Sequence, residues 1–357
     1  MESSAVLGRR SAHPVWPGLA GLAGFLAIAA AGLWWAKWSP YAQKLDHLFI
    51  TPHWSGKDML SAAGAAGASP SPSGAWDFTR AYGTDIWPGF LAALLIASAI
   101  DALVPRPWVL SAVRRSGDGK SALAGGLCAL PTLMCTCCTA PIAVTLRRDG
   151  APLSAALAYW MGNPVLNPAV LAFLAIVAPW QWVVTRVVIG GILVFGATVL
   201  VARLGRPSAG APAVPPPVRF ALPTAPARFL RTLVRLSVTL LPLYLIFVFA
   251  IGLFRGWVFP LDASTVHWVV PSVFAAAAFG TLVVIPTAGE IPILLALAAA
   301  GLGTAAIGAL LITLPAISLV SMAMVARTFS ARVTAAMAAA VAGCGLLAGG
   351  LLLLLTG

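Results

Sequence analysis

Charge is what this chain has least of. Asp, Glu, Lys and Arg make up 9% of its 357 residues, where a soluble domain carries roughly 25%. So few charges cannot clothe a water-facing surface, and a mean hydropathy of +0.94 excludes the soluble class. Histidine is scarce as well. His13, His47, His53 and His267 all fall in predicted loops or at membrane ends, so none stands ready as the fourth ligand of a tetrahedral zinc site. Walker, G-x-S-x-G, H-E-x-x-H and dinucleotide fingerprints are absent, which removes ATP-driven transport and the common hydrolase and dehydrogenase chemistries from this chain.

What is abundant is apolar sequence. Runs at 17–36, 84–104, 153–178, 182–203, 229–254, 305–326 and 333–356 each approach or exceed the roughly 20 residues a membrane helix needs. The expected class is an all-α polytopic membrane protein embedded in the lipid bilayer. The first run follows Arg9 and Arg10 but is long for a signal peptide. Trp34, Trp35 and Trp38 stand where a small-residue cleavage site would fall, so it reads as a retained helix. The net charge of +12 fits basic residues gathered in cytoplasmic loops. No compact basic cluster interleaved with aromatics suggests nucleic acid as a partner.

The chain divides at two polar or Pro-rich stretches. Residues 1–36 are read as a cytoplasmic N-terminus with one extra transmembrane helix, and 37–83 as an external loop ending in "SAAGAAGASPSPSG". Residues 84–205 form a first membrane repeat, 206–228 a cytoplasmic Pro/Ala-rich linker, and 229–357 a second repeat. The repeat is carried by ordered matches. With a shift of 155, Pro105, Ala122, Gly125, Pro131 and Thr132 meet Pro260, Ala277, Gly280, Pro286 and Thr287. After a four-residue gap the shift becomes 151, and Pro141, Ile142, Leu146, Gly150 and Pro164 meet Pro292, Ile293, Leu297, Gly301 and Pro315.

Charge then tests the topology. If 119–147 and 268–301 each enter the membrane and turn back at a Pro-bounded break, 16 of the 22 basic residues lie inside; if both cross fully, only 10 do. The positive-inside rule favours two re-entrant hairpins, which places the repeats in opposite orientations. Non-helical backbone at that depth survives only where protein buries it or it lines a watery cavity. Two such tips therefore predict a site.

The first tip, "LPTLMCTCCTAP" at 130–141, holds Cys135, Cys137 and Cys138. On a helix Cys135 and Cys138 share a face, whereas on a loop tip all three converge. Cysteine is often a small apolar residue in a core, and Cys128 and Cys344 take that reading. Three thiols at one break point instead to a soft, thiophilic partner, or to a redox dithiol of Cys135 and Cys138. The second tip, "IPTAGEIP", carries Glu290, a costly intramembrane carboxylate suited to moving a proton or to accepting helix N-terminal amides. Asn163 and Asn167 in "GNPVLNP" either line a pathway or satisfy backbone freed by Pro164 and Pro168.

The paired blocks "PTLMCTCCTAPIAVTLRRDGAPLSAALAYWMGNPVLNP" (131–168) and "PTAGEIPILLALAAAGLGTAAIGALLITLPAISL" (286–319) resemble the ArsP/YraQ-like permeases. The resemblance spans most of 84–356 and departs from the family at "CTCC", where C-x-C-G is the pattern, and in the long 37–83 segment. It implies a secondary-active permease of the bacterial inner membrane. Members with a named role export trivalent organoarsenicals such as methylarsenite. It also implies that Cys135, Cys137 and Cys138 are ligand thiols and Glu290 a proton-coupling residue. Thr132, Thr139, Asn163, Asn167 and Thr287 complete the candidate substrate-binding set. No cofactor, resident metal or catalytic residue is expected, and a homo-oligomer is compatible with this architecture. Rival readings are a permease for another soft or sulfur-containing solute or metal ion, a membrane thiol–disulfide oxidoreductase, and a structural membrane subunit.

Overall fold

The computed structural model of the chain describes residues 15–52, 54, 69–205, 222–253, 277, 280, 281, 285, 287–299 and 301–357. Among these residues the protein is helical throughout, with no strand. Helix α1 (Val15–Leu33) runs through a π-turn at Trp34–Trp38 into α2 (Ser39–Ile50). α3 (Pro72–Leu103) starts on the Ser71 side chain, whose Oγ accepts from Gly74 N, and ends where Pro105 forces extended backbone on Val104. A short α4 (Arg106–Val113) leads to α5 (Asp118–Ala129) and α6 (Thr136–Arg148). Then come α7 (Leu153–Leu166), α8 (Pro168–Val177), α9 (Trp180–Gly191) and α10 (Thr198–Leu204), the last two joined by a π-turn at Ile192–Ala197. α11 (Ala225–Leu253), α12 (Glu290–Ala299), α13 (Thr304–Ala316), α14 (Leu319–Phe329) and α15 (Ala331–Thr356) complete the described set.

Six helical stretches are long and apolar enough to cross a membrane: Trp16–Ile50, Pro72–Leu103, Leu153–Val177, Trp180–Leu204, Ala225–Leu253 and Ala331–Thr356. They contain the apolar runs read from sequence, with one exception. The run at 305–326 is two helices, α13 and α14, bent by 53° at Ile317 and Ser318. Pro315 weakens the end of α13, and Ser318 restarts the chain with a capping box to Ser321.

The segment expected as an external loop is also largely different. Residues 37–50 continue the first helix without a break, and 72–83 already belong to α3. Polar residues on one side of a long helix mimic a loop in composition while keeping helical backbone. Residues 53 and 55–68, most of the linker (206–221) and, in the second hairpin segment, 268–276, 278, 279, 282–284, 286 and 300 lie outside the described residues. The end of the linker is helical from Ala225.

The boundaries that are described pair at the sequence shifts. α7 begins at Leu153 and α13 at Thr304; α8 begins at Pro168 and α14 at Leu319. Leu133 and Ala288, the residues after the matched Pro-Thr pairs, are both left-handed, with φ of 49° and 68°. Gly150 and Gly301, just after α6 and α12, have φ of 99° and 89°, a conformation open to glycine because it lacks Cβ. Left-handed backbone is rare for other residues, so the Leu133 and Ala288 coincidence is informative.

α5 and α6 contain 12 and 13 residues. At 1.5 Å per residue each reaches only about 18–20 Å, short of a roughly 30 Å hydrocarbon core. The core packs behind them. α3 lies along α11 through Tyr82, Phe90 and Tyr244, and Trp160 of α7 is fully enclosed beside Phe329 of α14.

Candidate functional site

The first tip is a controlled break. α5 tightens into a 3-10 turn at Leu130–Thr132, Leu133 reverses the chain, and Cys135 opens α6 as its N-cap residue. The backbone groups freed there find partners. Trp38 Nε1 donates to Pro131 O at 2.7 Å. Asn163 Nδ2 donates to Ala129 O at 2.8 Å and also to Thr132 Oγ1. Thr132 Oγ1 in turn donates to Ala129 O at 2.8 Å. Satisfying such groups is obligatory where water is excluded.

This break brings the three thiols together. Cys135 Sγ lies 3.1 Å from Cys137 Sγ and 3.2 Å from Cys138 Sγ, and all three sulfurs fall within 4.8 Å of one another. They are buried and free of disulfides. Helix geometry alone separates Cys137 from the other two. Because Cys135 sits at the N-cap with extended backbone, its side chain swings back over the first turn and meets both.

A cavity of about 400 Å³ opens beside the thiols, and both tips line it. The first contributes Cys135 and Cys138; the second contributes Thr287, Ala288, Gly289 and Pro292. The remaining wall comes from the segment expected as a loop and from the start of the apolar run at 84–104. Lys37, Tyr41 and Lys44 enter from the π-turn and α2, and Thr84, Asp85 and Pro88 from α3. Lys37 Nζ donates to Thr287 Oγ1 at 3.4 Å and stands 5.4 Å from the Tyr41 ring centre. Gly89 makes room for it: a β-carbon there would sit 2.8 Å from Lys37 Cε and 3.6 Å from Cys138 Sγ.

Glu290 opens α12 at the second tip but faces away from the thiols. Its Oε1 accepts from Arg186 Nη2 at 2.8 Å, and both side chains are almost wholly buried. Arg186 also donates from Nε to Val165 O at 2.9 Å and from Nη2 to Pro164 O at 3.0 Å. Those carbonyls are orphaned because Asn167 ends α7 and caps α8, its Oδ1 accepting from Ala169 N and Val170 N. One guanidinium therefore ties the second tip to the broken helix of the first half.

The candidate residues separate into two groups. Cys135, Cys138 and Thr287 line the cavity, with Cys137 directly behind them. Thr132, Asn163 and Asn167 bond to backbone at the breaks. Thr139 Oγ1 is buried between Cys135 O, Thr136 O and Trp160 O, at 3.1–3.2 Å. Arg186 and Lys37 were missed. A lone arginine inside "WVVTRVVIGG" and a lone lysine inside "WWAKWSP" were the available signals, because an ionisable residue in an apolar run has a partner or a function.

A family model described as a predicted permease, ArsP, matches residues 73–353. The chain belongs to that family. The UPF0718 protein YraQ of Escherichia coli (strain K12) is 38% identical over 285 residues, covering 79% of this chain and 80% of that protein. No solved structure matches. Family membership and the apolar helices make the chain a multi-pass membrane permease. The match contains both tips and Arg186. It leaves out α1, the π-turn and α2, and with them Lys37, Tyr41 and Lys44.

Proposed function

We propose that this permease exports a thiophilic small molecule, with trivalent organoarsenicals such as methylarsenite as the first candidate, out of the bacterial cytoplasm across the inner membrane. The observation that carries the reading is the convergence of three free thiols on a cavity shared by both tips. Methylarsenite has two hydroxyls on arsenic. Two thiols displace them, forming two As–S bonds and releasing two waters. The third thiol then attacks arsenic, forms a new As–S bond and takes over from one of the first two, which leaves as a thiol. Such exchange keeps the cargo held without trapping it.

Movement follows from alternating access between two repeats of opposite orientation, around tips near the membrane midplane. The matched helix starts and left-handed residues support the duplication. Proton coupling runs through the Glu290–Arg186 pair. The pair parts when the second tip moves away from α9, which frees the carboxylate to carry a proton.

Methylarsenite accumulation in everted membrane vesicles tests the reading. Replacing Cys135, Cys137 and Cys138 with Ser abolishes accumulation; unchanged accumulation overturns thiol capture. Glu290→Gln retains methylarsenite binding and loses proton-driven accumulation. An oxidoreductase gives another pattern: it needs Cys135 and Cys138 but not Glu290, and cycles through a Cys135–Cys138 disulfide.

A further inference from the structure

The cavity holds a cation that the capture of a soft centre does not use. Lys37 takes part in none of the ion pairs among the described residues. Its contacts there are a 3.4 Å bond to Thr287 and the face of Tyr41. Lys44, the other cation of the wall, is differently placed. It lies 3.6 Å from the Trp54 ring centre and feels the carboxylates of Asp85 and Glu290. Glu290 is committed to Arg186, which leaves Asp85 as the one unpaired carboxylate among the described lining residues. Lys37 and Lys44 against Asp85 leave the cavity wall with one more basic than acidic side chain.

An ammonium group on a mostly apolar helix is costly to insert in a membrane, and it is retained where it serves a partner. The chain holds Lys37 in place with some care. The π-turn at Trp34–Trp38 carries it, Trp38 anchors that turn to the first tip, and Gly89 clears the space that brings it alongside Cys138. π-turns inside helices occur often at functional sites. Thr287 and Tyr41, both bearing a hydroxyl, line the same wall, as does Pro292 in the first turn of α12. The cavity therefore has hydrogen-bond donors on one side and soft sulfur on the other.

We propose that the cargo has two parts, a soft centre taken by Cys135 and Cys138 and an anionic oxygen group taken by Lys37. This rests on the thiophilic-permease reading and narrows it: the preferred cargo is a monoanion that offsets the wall's additional basic side chain. A volume of about 400 Å³ lies within the range of small-molecule sites and exceeds what a bare metal ion needs. Lys37 lies outside the family match.

A matched pair of probes tests it: phenylarsonous acid, and the same molecule with a 4-carboxylate. Binding is measured by equilibrium dialysis of the full-length protein in detergent, with arsenic quantified by mass spectrometry. The wild type binds the carboxylate probe about tenfold more tightly, the worth of one charge-assisted hydrogen bond. Lys37→Met loses that preference, and its binding of the uncharged probe checks that it has folded. Lys37→Arg keeps the preference. Equal affinities in the wild type, or a preference that survives in Lys37→Met, overturn the inference and leave the thiophilic reading standing. If the wild type binds neither probe, both fail together.

Discussion

The two tips differ in what they do with the same backbone. Each follows a Pro-Thr pair in sequence, reverses through a left-handed residue and opens a short helix. The first fills its break with three thiols, two of which line the cavity with the third behind them. The second puts a carboxylate at the matching break, and that carboxylate turns away to Arg186. One tip presents chemistry to a cargo, and the other couples itself to the framework. Two matching breaks can thus carry unlike chemistry, because a helix break creates free space and free hydrogen-bonding groups without dictating what fills them.

The largest effect belongs to the thiol tip. Changing its three cysteines to serine keeps shape but removes soft ligands, and methylarsenite accumulation in everted vesicles falls to the level of vesicles without the protein. Moving the comparison to the carboxylate tip, Arg186→Met strands Glu290 as a buried, unpaired charge and costs about 3–5 kcal/mol. Chemical denaturation in detergent reads this loss. Adding Glu290→Gln to that variant recovers more than half of it, whereas adding Cys135→Ser recovers none.

A smaller effect separates the paired caps. Asn167 caps α8 and Ser318 caps α14 at equivalent positions, and each loses about 1 kcal/mol on replacement by Ala. Similar losses in the same denaturation assay keep the two halves alike. A loss at one cap alone breaks the parallel.

A pH-dependent effect concerns the residues just after α6 and α12. The first copy has Asp149 where the second has Ala300. Burial, and after it Asp101, lifts the Asp149 carboxyl from 3.8 to about 6, against the pull of Arg106 3.2 Å away. Desolvation outweighs the ion pair because the carboxylate is 3% exposed. A native value above the unfolded one means that the folded chain holds the proton more tightly. That contribution is complete below 3.8 and is lost as pH rises through about 6. The melting temperature of the wild type relative to Asp149→Asn therefore falls across that window and is flat above it. A difference that rises with pH contradicts this.

Some of this was legible in the chain before any coordinates. Apolar run length marked the spans, since a membrane helix must satisfy its backbone internally and carry an apolar surface. The ordered prolines and glycines marked the two breaks. Composition misled at 37–50, where Lys37, Tyr41 and Lys44 resembled loop residues because they are polar, although they face a cavity from a helix. It misled again at 305–326, where apolar character persists through a bend that only local backbone chemistry reveals.

The sequence by itself determined the membrane class, the family and the positions of both breaks, because hydrophobicity and the backbone limits of Pro and Gly act locally along the chain. Only the tertiary structure decided which charges meet. Arg186 and Glu290 are 104 positions apart, and Lys37 reaches the thiols from a helix that precedes them by about a hundred residues. Pairing of that kind is set by helix packing in three dimensions, and no periodicity or spacing along one chain encodes it.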